Sequence, residues 1–248
     1  MAAERDDPST EPRNERVGAA RARITEMQEI PRLMPAELDR LGLVHPLMPV
    51  PAVMDAFKSL LDRLLERSDG KNFVVGVTGV TPGAGGSFVA ANLAATIALD
   101  HHRTALLIEG GPGSEIVQRL LMMPPDYGLT DYLGDPTLDV EGIIYSSRVP
   151  RLRVIPFGST TRETRLLNSA GMQHLLSSAC SRYSDRFVVL DVPGASQLET
   201  TQRLARWCDF VVLVVPYGGV STSRLRAAAD AIGRDRLAGV VINRDPAP

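Results

Sequence analysis

Residues 73–100, FVVGVTGVTPGAGGSFVAANLAATIALD, join an apolar run, a glycine-rich turn and a long amphipathic stretch. The apolar run predicts a buried parallel strand, and Leu93 and Ile97 recur at the spacing of one helix face. Between the two, Gly83 and Gly85 would let backbone N–H groups surround an anion at the N-terminus of the helix, where the helix dipole adds to the attraction. The stretch therefore predicts a strand, a phosphate-binding loop and a helix.

Two kinds of nucleotide-binding loop share this glycine pattern. A P-loop ends in Gly-Lys-Ser/Thr, and the corresponding residues here are Gly85, Gly86 and Ser87, so glycine stands at the lysine position. The alternative is the Thr-Gly-x-x-x-Gly-x-Gly turn of short-chain dehydrogenases, which residues 78–85 resemble, with Glu109 placed where such a fold binds ribose hydroxyls. Those enzymes also carry a Tyr-x-x-x-Lys pair, which is missing because both lysines of this chain precede the loop. The P-loop interpretation is therefore favoured.

Length and composition are typical of one soluble α/β domain with some chain left over. The chain has 248 residues, of which 23% are charged and 44% hydrophobic, and its formal net charge of −2 gives no reason to expect nucleic acid as a partner. The sequence contains no apolar run of the ~20 residues that span a bilayer, and its N-terminus is too polar for a signal peptide. Its two cysteines and four histidines show no metal-ligand spacing. We expect a cytoplasmic protein without direct membrane insertion and without a His or Cys metal site.

The chain divides into three predicted parts. Residues 1–35 are rich in charge and proline and poor in apolar side chains, which predicts a disordered tail. Residues 36–70 include a predicted helix, 53–67, whose apolar stripe suits docking on a core or on a neighbouring molecule. Residues 71–248 form the predicted α/β domain.

Strands and helices alternate along the third part. After the loop, strands are predicted at 104–109, 152–156, 186–191, 209–215 and 238–243, and helical segments at 114–121, 130–133, 140–146, 161–183 and 222–232. This alternation predicts a doubly wound, mostly parallel sheet flanked by helices, in which ligands bind at the carboxyl ends of the strands. Glu109, Asp191, Pro216 and Asn243 fall at those ends.

Six segments, in order, resemble the cytoplasmic tyrosine autokinases of bacterial capsule and exopolysaccharide systems, P-loop kinases related to the Min and Par partition ATPases. Residues 77–87 are similar to the family's Val-Thr-Ser-x-x-Pro-Gly-Glu-Gly-Lys-Ser/Thr, and residues 90–94 are similar to the Ala-Asn-Leu-Ala that follows it. Residues 105–109 resemble the start of its second acidic motif, and residues 128–133 resemble its Gly-Leu-Ser-Asp-x-Leu. Further along, residues 166–169 resemble Leu-Leu-x-Ser, residues 188–193 resemble the Asp-x-Pro segment and residues 239–243 resemble the closing strand. The resemblance spans roughly residues 38–243. It implies a P-loop NTPase-like, kinase-like fold for residues 71–248.

The resemblance also implies the residues of a site. The expected nucleotide-binding residues are Gly83, Ala84, Gly85, Gly86, Ser87, Phe88 and Asn243, the last of which faces the base in the family. Ser87 and Asp191 would hold Mg²⁺, and Asp191 would be the catalytic residue of an active enzyme. Asp55 and Lys58 lie where the family has the Glu-x-x-Arg-x-x-Arg motif of its ring-shaped oligomer, which makes a homo-oligomer a further expectation.

The departures from the family fall on the groups that carry out chemistry. Gly86 replaces the P-loop lysine, and the second acidic motif, Asp-x-Asp with an arginine beyond, reads Glu109, Gly111 and Gly113. The family's C-terminal tyrosine cluster has no counterpart in this sequence. Loss of these groups predicts that ATP or ADP with Mg²⁺ binds weakly or not at all.

The expected function is that of a degenerate, pseudokinase-like regulator or scaffold in exopolysaccharide or capsule biosynthesis and export. Its expected partner is the inner-membrane polysaccharide co-polymerase, the chain-length regulator, which would recruit it to the inner membrane. The alternative is an active ATP-dependent protein-tyrosine autokinase or ATPase in which another cation, such as Arg103 or Arg153, replaces the lysine.

Overall fold

A computed structural model describes residues 31–159, 164–194 and 198–243. Of the tail predicted to be disordered, residues 1–30 lie outside these ranges. Residues 161–163 of the predicted helical segment 161–183 also lie outside them. From Arg32 onward, the described residues form one compact unit.

From the first strand onward, strands and helices mostly alternate along the described chain. The helices are α1 Pro35–Leu41, α2 Pro51–Arg67, α3 Gly86–Leu99, α4 Glu115–Leu120, α5 Leu129–Gly134, α6 Ala170–Ser181, α7 Leu198–Ala205 and α8 Thr222–Ile232. The strands are β1 Val74–Gly79, β2 Thr104–Glu109, β3 Tyr145–Ser146, β4 Leu152–Ile155, β5 Arg186–Val192, β6 Phe210–Pro216 and β7 Leu237–Asn243. Two 3₁₀ segments, Val140–Ile143 and Thr164–Asn168, complete them.

The strands of the described ranges form one seven-stranded sheet in the order β3-β4-β2-β5-β1-β6-β7. Every neighbouring pair is parallel except β3 with β4, which confirms the predicted doubly wound, mostly parallel P-loop NTPase-like architecture. In the sheet register Val77 of β1 lies beside Asp191 of β5, and Asp191 lies beside Glu109 of β2. The carboxyl ends of these three strands therefore meet at one edge, where the loop before α3 also lies.

Helix α3 is buried on all sides over residues 89–98. The amphipathic pattern predicted for this stretch is wrong, because α2 packs over the side of α3 that faces away from the sheet. The apolar stripe of α2 supplies that cover through four buried side chains, Met54, Phe57, Leu61 and Leu64. The predicted helix 53–67 is present, and its stripe docks on this core.

A short N-terminal segment, residues 33–45, packs against α3 and is called the strap below. The side-chain amide of Asn92, fully buried in α3, accepts from Val44 N at 2.8 Å and donates to Gly42 O at 3.1 Å. Gly42 has φ +64°, and a Cβ there would lie 2.8 Å from the ring of Phe88. The strap is therefore fixed to the helix that follows the loop.

Two further elements differ from the predicted pattern. Residues 140–146, predicted as helix, form the 3₁₀ segment Val140–Ile143 and then β3, which pairs antiparallel with β4. The hydroxyl of Tyr145 accepts from Tyr127 N and donates to Tyr127 O, so this residue joins two loops instead of continuing a helix. Helix α7 was not predicted, since its sequence LETTQRLA offers only two leucines to a periodicity search.

No helix in the described part of the chain is both long and apolar enough to cross a bilayer.

Candidate functional site

The glycine-rich loop between β1 and α3 wraps one side of a cavity of about 470 Å³. Gly83 and Gly85 have φ of +72° and +95°, a left-handed backbone that favours glycine, and Gly85 caps the start of α3. The cavity is lined by Gly79, residues 81–88, residues 111–114 and residues 191–194. We call it the loop cavity. The structure thus brings together six of the seven predicted nucleotide-binding residues and Asp191.

The loop cavity has no cation in its wall. Among the described residues that line it there is no Lys, Arg or His, and Asp191 is the one ionisable side chain. Gly86, at the lysine position, is the first residue of α3 and has ordinary helical backbone. A Cβ there would lie 3.1 Å from Gly79 N, so any side chain at this position requires the Gly79 backbone to shift by a few tenths of an ångström. The lysine position of the loop therefore contributes no charge to the loop cavity.

Asp191 is the last residue but one of β5, and its carboxyl is buried against the loop. The pKa of this carboxyl is raised to about 7, mainly by burial; a hydrogen bond from the Ser87 hydroxyl opposes the rise, and the nearby Glu109 charge adds to it. The carboxyl therefore changes charge close to neutral pH. A divalent cation at this position would favour the ionised form.

Glu109 holds two loops together. Its Oε1 accepts from Ser114 N at 2.7 Å and its Oε2 accepts from Phe157 N at 2.9 Å, and burial raises its pKa against these two hydrogen bonds. Both oxygens are thus engaged with backbone, on the side of a separate cavity of about 490 Å³. These contacts assign Glu109 a structural role and give no support to the ribose-binding role considered in the dehydrogenase interpretation.

Asn243 lies at the loop but binds the loop's own backbone. Its Nδ2 donates to Ala84 O at 2.9 Å, and a Cβ on Gly85 would come within 2.0 Å of that nitrogen. Asn243 does not line the loop cavity. In this geometry Asn243 supports the loop, and its contact with a base stays a prediction.

The other predicted site residues lie away from the loop cavity. Asp55 and Lys58 are exposed on the outer face of α2. Arg103 precedes β2 at the opposite edge of the sheet, where it pairs with Asp100 at 3.3 Å. Arg153 lies within β4, beside Leu106 of β2. Neither arginine lines the loop cavity, so the structure gives no support to their replacing the lysine.

The donors around the loop cavity suit Mg²⁺ better than a transition metal. The described residues contain no group of three or more His, Cys, Asp or Glu side chains that could hold a metal ion. One carboxylate and one hydroxyl, from Asp191 and Ser87, match a hard cation that keeps most of its ligands as water and phosphate oxygen.

Sequence reasoning missed a second cavity, of about 390 Å³, which we call the outer cavity. Residues 87–88 and 113–114 line both cavities, and the outer wall is completed by Arg40, Leu41, Glu115, Ile116 and Arg119. The Oγ of Ser114 is buried and has no hydrogen-bond partner among the described residues. The one sequence signal was a serine before Glu115, which is typical of a helix cap, although the Ser114 side chain makes no capping hydrogen bond.

The chain is similar to bacterial tyrosine kinases in sequence. No family model matches it. Tyrosine-protein kinase CpsD of Streptococcus agalactiae is 24% identical over 183 residues, which cover 73% of this chain and 79% of the relative. The succinoglycan biosynthesis transport protein ExoP of Rhizobium meliloti is 24% identical over 193 residues, covering 75% of this chain and 24% of that protein.

Solved structures share the fold. The kinase domain of VpsO superposes with a TM-score of 0.67 at 24% identity and covers 78% of this chain and 95% of that one. The cell-division ATPase MinD of Pyrococcus furiosus gives a TM-score of 0.57 at 20% identity and covers 70% of this chain and 72% of that one. The same scaffold thus carries both kinase domains and an ATPase.

Proposed function

Because this chain belongs to the bacterial tyrosine-kinase family of P-loop proteins, with relatives in exopolysaccharide and capsule systems, we propose that it is a pseudokinase that acts by binding. It serves as a cytoplasmic regulator or scaffold of the inner-membrane chain-length or export component. The observation that carries this proposal is the wall of the loop cavity, which contains no cation.

Phosphoryl transfer concentrates negative charge on the oxygens of the transferred group, and catalysis consists mainly of positioning and of cations that neutralise this charge. Gly86 supplies no charge at the lysine position, and Gly111 and Gly113 supply none in the loop after β2. One lost charge-assisted contact weakens phosphate binding by about 1.5–3 kcal/mol. In the transition state the loss is larger, on the order of 10²–10³ in rate.

The proposed ligand is ATP or ADP with Mg²⁺, bound weakly. Backbone N–H groups of residues 83–88 would face the phosphates, and Ser87 and Asp191 would hold Mg²⁺, which neutralises phosphate charge when bound. Asp191 must lose its proton to bind the cation, so burial of this carboxyl makes Mg²⁺ affinity fall as pH drops below about 7.

The proposed partner is the polysaccharide co-polymerase of the inner membrane. This chain matches about a quarter of ExoP, which is named as a succinoglycan biosynthesis transport protein. That similarity supports a role beside a polysaccharide transport component. The exposed outer face of α2, with Asp55 and Lys58, is the proposed contact between copies of this chain. Recruitment by the partner, without nucleic acid or direct membrane insertion, is part of the same proposal.

Autophosphorylation tests the proposal directly. The purified full chain is incubated with Mg-ATP and probed for phosphotyrosine, with Asp191→Asn as the matched control. We expect no signal above that of the control. Tyrosine phosphorylation that depends on Asp191 would overturn the pseudokinase assignment.

Partner binding is tested by pull-down of the purified chain with the cytoplasmic segment of its co-polymerase. Capture that persists without nucleotide supports action by binding, and no capture under any nucleotide condition contradicts it.

The second candidate function is an active kinase or ATPase with a replaced cation. This second function is favoured by two arginines, Arg40 and Arg119, that line the outer cavity. The outer cavity adjoins the loop cavity, so either arginine is a candidate for the missing cation. In that case ATP turnover is measurable in the wild type and abolished in Asp191→Asn.

A further inference from the structure

The loop cavity and the outer cavity share a common wall. Ser87 and Phe88 at the start of α3 line both, as do Gly113 and Ser114 before α4. A Cβ on Gly113 would meet no atom within 4 Å, so the space beside this residue is open. A group bound at the start of α3 would therefore lie against residues that also line the outer cavity.

The shared wall carries a polar atom without a partner. Ser114 is 8% exposed, and its Oγ makes no hydrogen bond among the described residues. An unpaired buried hydroxyl destabilises the folded protein, because it has lost its hydrogen bonds to water without gaining others. Because a hydroxyl both donates and accepts, an oxygen-rich ligand entering the shared space would satisfy it.

Arg40 brings a charge to the outer cavity, and this charge also acts on Glu37 of α1, whose carboxylate pairs with Arg148 at 3.0 Å. Of the charged side chains there, Arg119 pairs with Glu115 on α4, whereas Arg40 forms no ion pair with a carboxylate in the described part of the chain. Arg40 stands in the last turn of α1, two residues before Gly42. The hydrogen bond from Asn92 to Gly42 O and the close contact of Gly42 with Phe88 hold this end of α1 beside the start of α3.

We propose that Arg40 and Ser114 form a phosphate subsite that supplies, from the strap, the cation missing from the glycine loop. The ligand is a phosphate group, either the terminal phosphate of a nucleotide seated in the loop or inorganic phosphate. This inference rests on the part of the proposed function that treats the loop as a phosphate cradle. It adds a specific pair of residues and a reason for the strap to be fixed to α3.

Titration calorimetry on the full chain tests the subsite with Mg-ADP and inorganic phosphate as probes. The variants are Arg40→Gln, Ser114→Ala and, as the matched control, Arg63→Gln, which removes an exposed arginine from α2. We expect Arg40→Gln to weaken binding roughly ten- to a hundredfold, Ser114→Ala to weaken it several-fold, and the control to leave it unchanged. Circular dichroism of each variant verifies folding.

Thermal unfolding of Ser114→Ala separates a binding role from a structural one. Removal of an unpaired buried hydroxyl should raise the Tm of the protein without ligand while it weakens ligand binding. A hydroxyl needed for packing would lower the Tm instead, which would count against the subsite.

The two probes identify the source of the phosphate. If Mg-ADP binds and Arg40→Gln weakens it, the subsite holds the terminal phosphate of a nucleotide. If inorganic phosphate alone binds with the same dependence, the ligand is the free anion. Equal affinities of Arg40→Gln and Arg63→Gln, or no binding of either probe to the wild type at millimolar concentration, overturn the inference.

Failure of the subsite and failure of the proposed function can be told apart. Partner capture and absence of autophosphorylation can stand when the subsite fails, and phosphotyrosine in the wild type overturns the pseudokinase proposal whatever the affinities are.

Discussion

Asp191 shows how one side chain links the fold to its chemistry. It is 6% exposed, and burial raises its pKa to about 7, far above the ordinary value of an aspartate. A group whose pKa is raised in the folded state stabilises the fold most at low pH, and that stability is lost as the pH rises through the folded-state pKa. The free protein should therefore lose stability between about pH 4 and pH 7.

Substitution Asp191→Asn should remove this pH dependence, since the amide cannot ionise. We expect near-equal stability at pH 4, and at pH 8.5 a variant more stable than the wild type by on the order of 4 kcal/mol. Urea denaturation at the two pH values measures the difference, and Asp62→Asn on the exposed face of α2 is the control. A difference that is the same at both pH values would show that burial of the charge is not its cause.

At residue 86, the substitution Gly86→Lys should restore the missing cation. The helical backbone admits the side chain with a shift of a few tenths of an ångström at Gly79 N. We expect Mg-ADP affinity to rise about ten- to a hundredfold, corresponding to one charge-assisted contact. Titration calorimetry compares it with Gly86→Ala, which adds the same Cβ without charge. Equal affinities of the two variants would contradict an electrostatic origin.

At the scale of elements, the strap depends on one buried amide. Asn92 satisfies Val44 N and Gly42 O, and its Nδ2 also donates to Phe88 O within α3. Asn92→Ala should lower the free energy of unfolding by about 2–4 kcal/mol, because two strap groups lose their partners. It should also open residues 33–45 to limited proteolysis.

The matched control for this prediction is Thr96→Val, one turn further along α3. Its hydroxyl donates to Asn92 O and touches no strap backbone group, so it should leave the proteolysis pattern unchanged. Equal protease sensitivity of the two variants would mean that the strap is held by its apolar contacts instead.

Sequence periodicity predicted the positions of the helices and strands better than it predicted which of their faces are buried. Helix α8 begins and ends at the predicted residues, and the sheet strands other than β3, which was predicted as helix, were located to within a residue or two. The burial of α3 could not be predicted, because α2, which covers it, lies earlier in the chain and docks by tertiary packing. Arg40 and Ser114 carry no motif, and only the folding of the strap onto α3 brings them to one cavity.

At the scale of the whole molecule, an aromatic cluster joins three strands far from the loop. Phe73, just before β1, makes edge-to-face contacts with Phe187 of β5 and Phe210 of β6, with ring centroids 5.0 and 5.5 Å away. Phe73→Ala should lower the free energy of unfolding by about 3–5 kcal/mol. Chemical denaturation measures the loss, and Phe73→Leu should recover much of it.

The cluster lies at the amino edge of the sheet and the loop cavity at the carboxyl edge. We therefore expect Phe73→Leu to keep any affinity for Mg-ADP that the wild type has. A parallel fall in both stability and affinity would show that the two edges are coupled through β1.

Glu109 has a wider consequence than its two hydrogen bonds. The loops that it joins, at Ser114 and at Phe157, are separated by more than forty residues of chain, yet one carboxylate fixes the spacing between them. Ser114 also borders the loop cavity, while the Phe157 loop borders the 490 Å³ cavity. The walls of the loop cavity and of the 490 Å³ cavity are thus joined through the carboxylate of Glu109. A movement that widens one cavity would therefore change the shape of the other.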